Sequence, residues 1–263
     1  MGNTTRIRQR TYSGAVLEYK VWSWAPRGRD ITKAKPPKPR FQNVEERQQH
    51  SLLISKRKFA RLVNTNFSPN SLYSTLTFDD ASEVHTFDEA RQIREKFIRR
   101  ILYKYPEAVI VLVMGRGKHT SRIHFHMISE GVPEAYIRKQ WIYGKVVEIE
   151  HMREHNWYDG VDHGQDYTGL ANYMFEHWTE EQGGHRWRAT KTVRQPEAEK
   201  PEEIRREYSE KKPPKPPKGY MLVECQGNRY GYLYFKYVKE PPKVERNKKK
   251  QPRGSGFEKL ENA

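Results

Sequence analysis

The stretch from Val109 to Ile128 constrains this chain more than any other. VIVLVM (109–114) is an uninterrupted apolar run that reads as a strand. The turn GRGKHTS stops it, and RIHFHMI (122–128) resumes as a second strand. Side chains alternate across a strand, so His124 and His126 point to one face while Ile123 and Phe125 point to the other. One face of this strand must be buried in a core, and the other carries two imidazoles close enough to chelate a single divalent ion.

The flanking elements suggest how such a strand is housed. Leu52, Phe59, Leu62 and Val63 recur at helical spacing within 45–63, and SLYSTLTF (71–78) is a short β-rich run. Thr86 and Glu89 form a capping box ahead of Ile93, Phe97, Ile98, Ile101 and Leu102. Pro133 opens a short helix to about Trp141, KVVEIEHM (145–152) is a further strand, and Leu170, Tyr173, Met174 and His177 share a face of a helix over 168–178. From residue 71 the order is β-α-β-β-α-β followed by a helix. The expected fold class is therefore α+β: a split βαβ, ferredoxin- or RRM-like antiparallel sheet with an added tyrosine-bearing helix on its open face. In that arrangement the first and third strands are central neighbours, which sets Thr75 and Thr77 beside His124 and His126.

The rest of the chain is polar. Only 35% of its 263 residues are hydrophobic, which predicts one compact core with polar segments around it. The expected organisation is a basic N-terminal arm (1–40), a globular domain (41–195), a Pro-rich charged linker (196–218), a β-hairpin (219–240) and a disordered basic tail (241–263). Within the arm, YSGAVLEYKVW is a candidate strand. A single cysteine, Cys225, excludes a disulfide scaffold. No apolar run approaches the roughly 20 residues that span a bilayer, and Met1–Lys20 lacks the apolar centre of a secretory signal. The expectation is a cytoplasmic protein without a membrane partner. Lys and Arg number 49 against 33 Asp and Glu, a formal charge of +16 that favours a polyanionic partner, nucleic acid first among them.

Tyr173 lies on the helix expected to cover the face that carries the two histidines. A phenol with an ordinary pKa near 10 is a poor nucleophile near neutrality, and a metal that draws charge from a phosphate would assist it. Thr-Leu-Thr-Phe (75–78), His-Phe-His (124–126) and Tyr173 on a following helix resemble, in order and context, the three motifs of the HUH endonucleases. The likeness is to the rolling-circle replication initiators of plasmids and bacteriophages and runs over residues 45–195, with Arg186-Trp187-Arg188 also similar. It implies that 41–195 is a nuclease domain, that Mg²⁺ or Mn²⁺ is the cofactor, and that single-stranded DNA at a replication origin is the substrate. It further implies that Tyr173 forms a 5′-phosphotyrosine link and frees a 3′-hydroxyl, in a bacterial host whose helicase and polymerase are further partners.

The chain departs from that family in three places. Met114 stands where many relatives carry a glutamate, which leaves the third metal ligand among Glu148, Glu150, His151 and His163, with Glu150 slightly favoured. Glu176 stands where relatives often have lysine, and His177 where many have a second tyrosine, so a single-tyrosine enzyme is expected, with Tyr167 as the alternative nucleophile. Arg116, Lys118 and Arg122, in the turn before the histidine strand, are candidate phosphate contacts. Three rival readings remain: a non-catalytic RRM-like nucleic-acid binder, a transposase or relaxase of the same chemistry, and a metalloprotease from His151-Met-Arg-Glu154-His155, which would need a helix there.

Overall fold

The computed structural model describes residues 5–24, 30–82, 84–117, 122–178, 185–228 and 231–241. The first elements are β1 (Thr5–Ser13), β2 (Val16–Trp24), α1 (Val44–Asn66), β3 (Leu72–Thr77), α2 (Phe87–Lys104), β4 (Val109–Arg116), β5 (Ile123–Glu130), α3 (Glu134–Gln140) and β6 (Val147–His151). There follow β7 (Trp157–Tyr158), β8 (Val161–Asp162), α4 (Thr168–Glu176), β9 (Arg188–Ala189), β10 (Glu197–Ala198), β11 (Glu202–Ile204), β12 (Tyr220–Gly227) and β13 (Leu233–Lys239). The protein is α+β with antiparallel sheets, and it divides into two compact units. No helix among the described residues is long and apolar enough to cross a membrane.

One unit comprises residues 70–152 and 173–192 and is built on a five-stranded sheet of order β6-β3-β5-β4-β9. Helix α2 starts where the sequence predicts, with the Thr86–Glu89 capping box formed in both directions. One face of the sheet supplies Leu76, Ile110, Leu112, Phe125 and Met127 to a core completed by Phe97 and Ile101 of α2 and Ile137 of α3. Phe125 has no exposed surface, and its ring packs edge-on to Phe78 at 5.2 Å and to Trp141 at 5.5 Å.

The other unit comprises residues 1–69, 153–172 and 193–241 and holds a sheet of order β10-β1-β2-β13-β12, with β11 also on β1. Here the structure departs from the sequence reading. Residues 5–24, expected as part of an arm, form a hairpin that turns at Gly14, whose φ of +58° suits glycine and whose site leaves no room for a Cβ, which would meet Asn64 O at 2.0 Å. The expected hairpin at 219–240 forms as β12 and β13, and β13 pairs with β2. Residues 196–218, expected as a linker, supply β10 and β11 and then pack Ile204 and Tyr208 against Leu17, Tyr19, Phe235 and Tyr237. Charge complementarity explains both departures. Arg8 and Arg10 project from β1 and meet Glu202 at 2.7 and 3.0 Å, and Arg10 also meets Glu199 at 2.7 Å. Helix α1, expected in the domain 41–195, belongs to this unit, and the division between units falls within α4, after Asn172. The expected tail, 242–263, lies outside the described residues.

Replacing Phe125 by alanine is expected to cost about 3–5 kcal/mol, because the ring lies fully buried among aromatic neighbours with nothing free to collapse into its space. Urea denaturation of the variant beside the parent protein measures this.

Candidate metal centre

The register of the five-stranded sheet builds the centre row by row. Thr77, His124 and Gly115 stand opposite one another, as do Thr75, His126 and Val113. Glu148 continues the row of Thr75, and Glu150 continues the row of Tyr73 and Ile128. Directly opposed residues share a face, so Tyr73, Thr75, His124, His126, Glu148 and Glu150 all project from the face opposite the apolar core. Met114 and Phe125 stand opposite each other on the core side.

Helix α4 brings Tyr173, and the residue just beyond its end brings His177. His124 Nε2 lies 3.0 Å from His126 Nε2 and 3.4 Å from His177 Nδ1. The three ligand nitrogens lie within 4.8 Å of one another, and this is the group among the described residues able to hold a metal ion. Ligand nitrogens about 2.0–2.1 Å from one tetrahedral ion would stand about 3.3 Å apart, so little adjustment is needed. The Tyr173 ring packs 5.3 Å from His126 and 4.7 Å from His177, centroid to centroid.

Outer contacts orient two of the three rings. Nδ1 of His124 lies 3.4 Å from the Arg122 carbonyl oxygen, and Nδ1 of His126 lies 2.7 Å from the Tyr73 hydroxyl. With Nδ1–H donating outward, each ring turns an Nε2 lone pair inward, the tautomer a metal requires. Gly115 makes the approach possible: a Cβ there would lie 2.8 Å from His124 Nε2 and 2.9 Å from the His177 Cβ.

Burial sets the charge state. Burial first, then neighbouring His177, pushes His124 down to about 4. Burial, then His124 and His177, holds His126 well below the ordinary value. Both rings are thus neutral near pH 7, ready to coordinate. Tyr173 moves upward, through burial first and the Glu148 charge second, so its phenol stays protonated.

The structure sorts the residues singled out in the sequence. His124, His126 and Tyr173 come together as the motifs suggest. Glu150 is outside the cluster, His151 is exposed on β6, and His163 lies in the other unit, 3.5 Å from Asp166; His177 takes the third place instead. The signal for it was present, since His177 follows Tyr173 by four residues and so shares its helix face. Glu176 is exposed and is no member of the cluster. Tyr167 is 1% exposed, too buried to meet a substrate strand. Arg122 pairs with Asp80 at 2.6 Å, Arg116 stacks over Phe87 at 5.0 Å, and Lys118 lies outside the described residues. No helix presents His151 and His155, and His155 bonds Asp162 at 2.7 Å. Sequence reasoning missed Tyr73, Gly115 and the level placement of Glu148 with His126, since all three depend on strand register.

Two outcomes follow. Below pH 6.5 the unfolded chain protonates His124 while the folded chain, with its pKa near 4, does not, so stability is lost as pH falls from about 6.5 towards 4. Melting in EDTA across this window measures the loss, and His124→Gln flattens the curve. Gly115→Ala keeps all three ligands yet crowds them, and it is expected to weaken Mn²⁺ or Co²⁺ binding about tenfold or more by titration. Comparisons with protein-family models, with curated proteins and with solved structures find no match, which leaves the geometry of this centre as the ground for a functional reading.

Proposed function

We propose that this protein is a metal-dependent, single-tyrosine endonuclease and strand transferase of HUH type that nicks single-stranded DNA at a replication origin and starts rolling-circle replication. The observation that carries this reading is the convergence of three imidazole nitrogens beside the Tyr173 ring on one sheet face. The connectivity β3-α2-β4-β5-α3-β6 with strand order β6-β3-β5-β4 supports the finer fold assignment, a split βαβ sheet whose open face receives the tyrosine helix. The basic excess of the chain supports a polyanionic substrate.

His124, His126 and His177 would hold the divalent ion. Three imidazoles suit Mn²⁺ or a softer ion better than Mg²⁺, which prefers oxygen ligands. When bound, such an ion offsets negative charge on the scissile phosphate. Tyr173 Oη forms a bond to phosphorus as the bond from phosphorus to the 3′-oxygen breaks. The phenolic proton passes to a base; the projection of Glu148 from the same sheet face and the effect of its charge on Tyr173 support Glu148 in that role. The departing 3′-oxygen takes a proton from water and becomes the free 3′-hydroxyl. One phosphate ester replaces another, so attack by a 3′-hydroxyl on the phosphotyrosine rejoins strands. With His177 in place of a second tyrosine, each centre holds one covalent strand end at a time.

The test is a covalent-adduct assay with labelled single-stranded DNA from the protein's own replicon, Mn²⁺, and a denaturing gel. A labelled protein band is expected, absent with EDTA and with Tyr173→Phe, and requiring at least about tenfold more Mn²⁺ with His177→Ala. A band that survives Tyr173→Phe moves the nucleophile elsewhere. Tight DNA binding with no band under any metal makes the protein a non-catalytic RRM-like binder.

A further inference from the structure

Residues 211–218, Lys-Lys-Pro-Pro-Lys-Pro-Pro-Lys, hold four lysines and no acid. Every position from Lys212 to Pro217 is a proline or stands before one. Proline fixes φ at about −65° and pushes the residue before it into extended backbone. The sequence therefore dictates polyproline II, which has about three residues per turn and rises about 3.1 Å per residue. Residues 213–217 accordingly lie in neither helix nor strand. One turn separates Lys212 from Lys215 and Lys215 from Lys218, so successive lysines stand about 9 Å apart along one edge.

The prolines are held by the protein. Pro214 is buried, Pro213 and Pro217 are half-buried, and the Tyr237 hydroxyl donates to the Pro214 carbonyl at 3.0 Å. A turn closed by the Tyr220 N–H on the Pro217 carbonyl, with Gly219 at φ +77°, fixes the far end. The lysines are left to solvent. Lys211, Lys212, Lys215 and Lys218 are all exposed, and none of their side chains forms an ion pair or hydrogen bond among the described residues. Glu207, Glu210 and Glu240, the nearest acids along the chain, pair with none of them, and Glu210 accepts from the Gly227 N–H instead. The same pentapeptide, Lys-Pro-Pro-Lys-Pro, recurs in this unit at 35–39, again with both lysines exposed and with Pro36 and Pro39 half-buried.

We infer that the row of Lys212, Lys215 and Lys218 is a docking track for a nucleic-acid backbone, its ammonium groups meeting phosphates along a strand. Three cations spread over about 19 Å cannot all reach one small anion, whereas a strand of duplex offers a phosphate about every 3.4 Å along that length. Domains that read polyproline ligands grip the proline ridge itself, and here that ridge is turned into the protein and the Pro214 carbonyl is taken. A membrane surface fits less well, since no bulky apolar side chain stands in the row to enter a bilayer. A backbone already fixed by prolines loses little freedom when a strand docks on it. The track belongs to the unit that does not carry the histidine centre, and it does not rest on the nuclease reading.

The test uses the full chain in EDTA, which removes any ion from the histidine centre. Fluorescein-labelled duplex DNA of arbitrary sequence and labelled oligo-dT are titrated by anisotropy over a range of NaCl concentrations. One variant combines Lys212→Gln, Lys215→Gln and Lys218→Gln. A control combines Lys58→Gln, Lys96→Gln and Lys139→Gln, exposed lysines elsewhere, and so carries the same net charge. The slope of log affinity against log salt is expected to shrink by about 2.7 on the duplex, or about 2 on the single strand, in the first variant and to hold in the control. Arginine at the same three positions should restore it. The melting temperature of the first variant should match the parent, because these lysines have no partner in the protein to lose. A loss confined to the duplex identifies double-stranded nucleic acid as the occupant, and one confined to oligo-dT a single strand. An unaltered slope, an equal loss in the control, or no binding overturns the proposal. Binding to phosphatidylglycerol vesicles that falls in the first variant, without binding to either DNA, also overturns it and assigns the row to a membrane surface.

Discussion

The histidine centre depends on the pairing of β5 between β3 and β4. Strand side chains alternate with a period of two, so this pairing sends Phe125 and Met127 into one layer and His124 and His126 out of the other. A slip of one residue would exchange them, placing imidazoles in the aromatic core and a phenylalanine at the centre. The density of apolar contact around Phe125 therefore sets the positions of the two rings beside it. The same register puts Gly115 opposite His124, and the missing side chain opens the space that His177 uses.

Assembling three imidazoles in a buried place has electrostatic consequences. Burial and mutual repulsion keep the His124 and His126 rings neutral, so these two offer lone pairs and not charges. Lone pairs crowded at 3.0 and 3.4 Å are stabilised by a proton shared between them or by a metal ion. Tyr173 is shifted in the direction opposite to that of an intrinsically activated nucleophile, since burial and Glu148 both favour its neutral form. An enzyme built this way would draw its reactivity from charge stabilisation at the phosphate and from a base for the phenolic proton.

The second unit is organised by charge to an unusual degree for a sheet packed under a helix. Arg8 and Arg10 on one face are met by Glu199 and Glu202 from a segment about 190 residues later. On the other face Glu18 accepts from both Arg61 and Tyr234 at only 4% exposure, and Lys236 bridges Asp166 and Thr168. Burial alone would raise Asp166, but hydrogen bonds from His163 and Lys236, with the Lys236 charge, hold it far below the usual carboxylate range. Such pairs contribute little net energy but are costly to break singly, so they specify which partners meet.

The local pattern of the sequence determined much of the sheet that carries the histidines. The capping box at Thr86, the apolar run at 109–114 and the alternation of His124 with Phe125 are short-range signals, and α2, β4 and β5 form where they indicate. Tyr173 and the two histidines were legible for the same reason, as helical and strand periodicities assign faces without knowledge of distant chain. Tertiary structure alone decided the third member of the cluster, because whether His177 or a β6 glutamate reaches His124 depends on how far the end of α4 and the edge strand stand from β5. It also decided the fate of two charged segments. The β1 arginines read as a solvated arm and residues 196–218 as a linker, since neither has a local partner. They become strands of one sheet when Glu199 and Glu202 neutralise Arg8 and Arg10, and Coulomb attraction between segments so far apart in sequence leaves no local periodic trace.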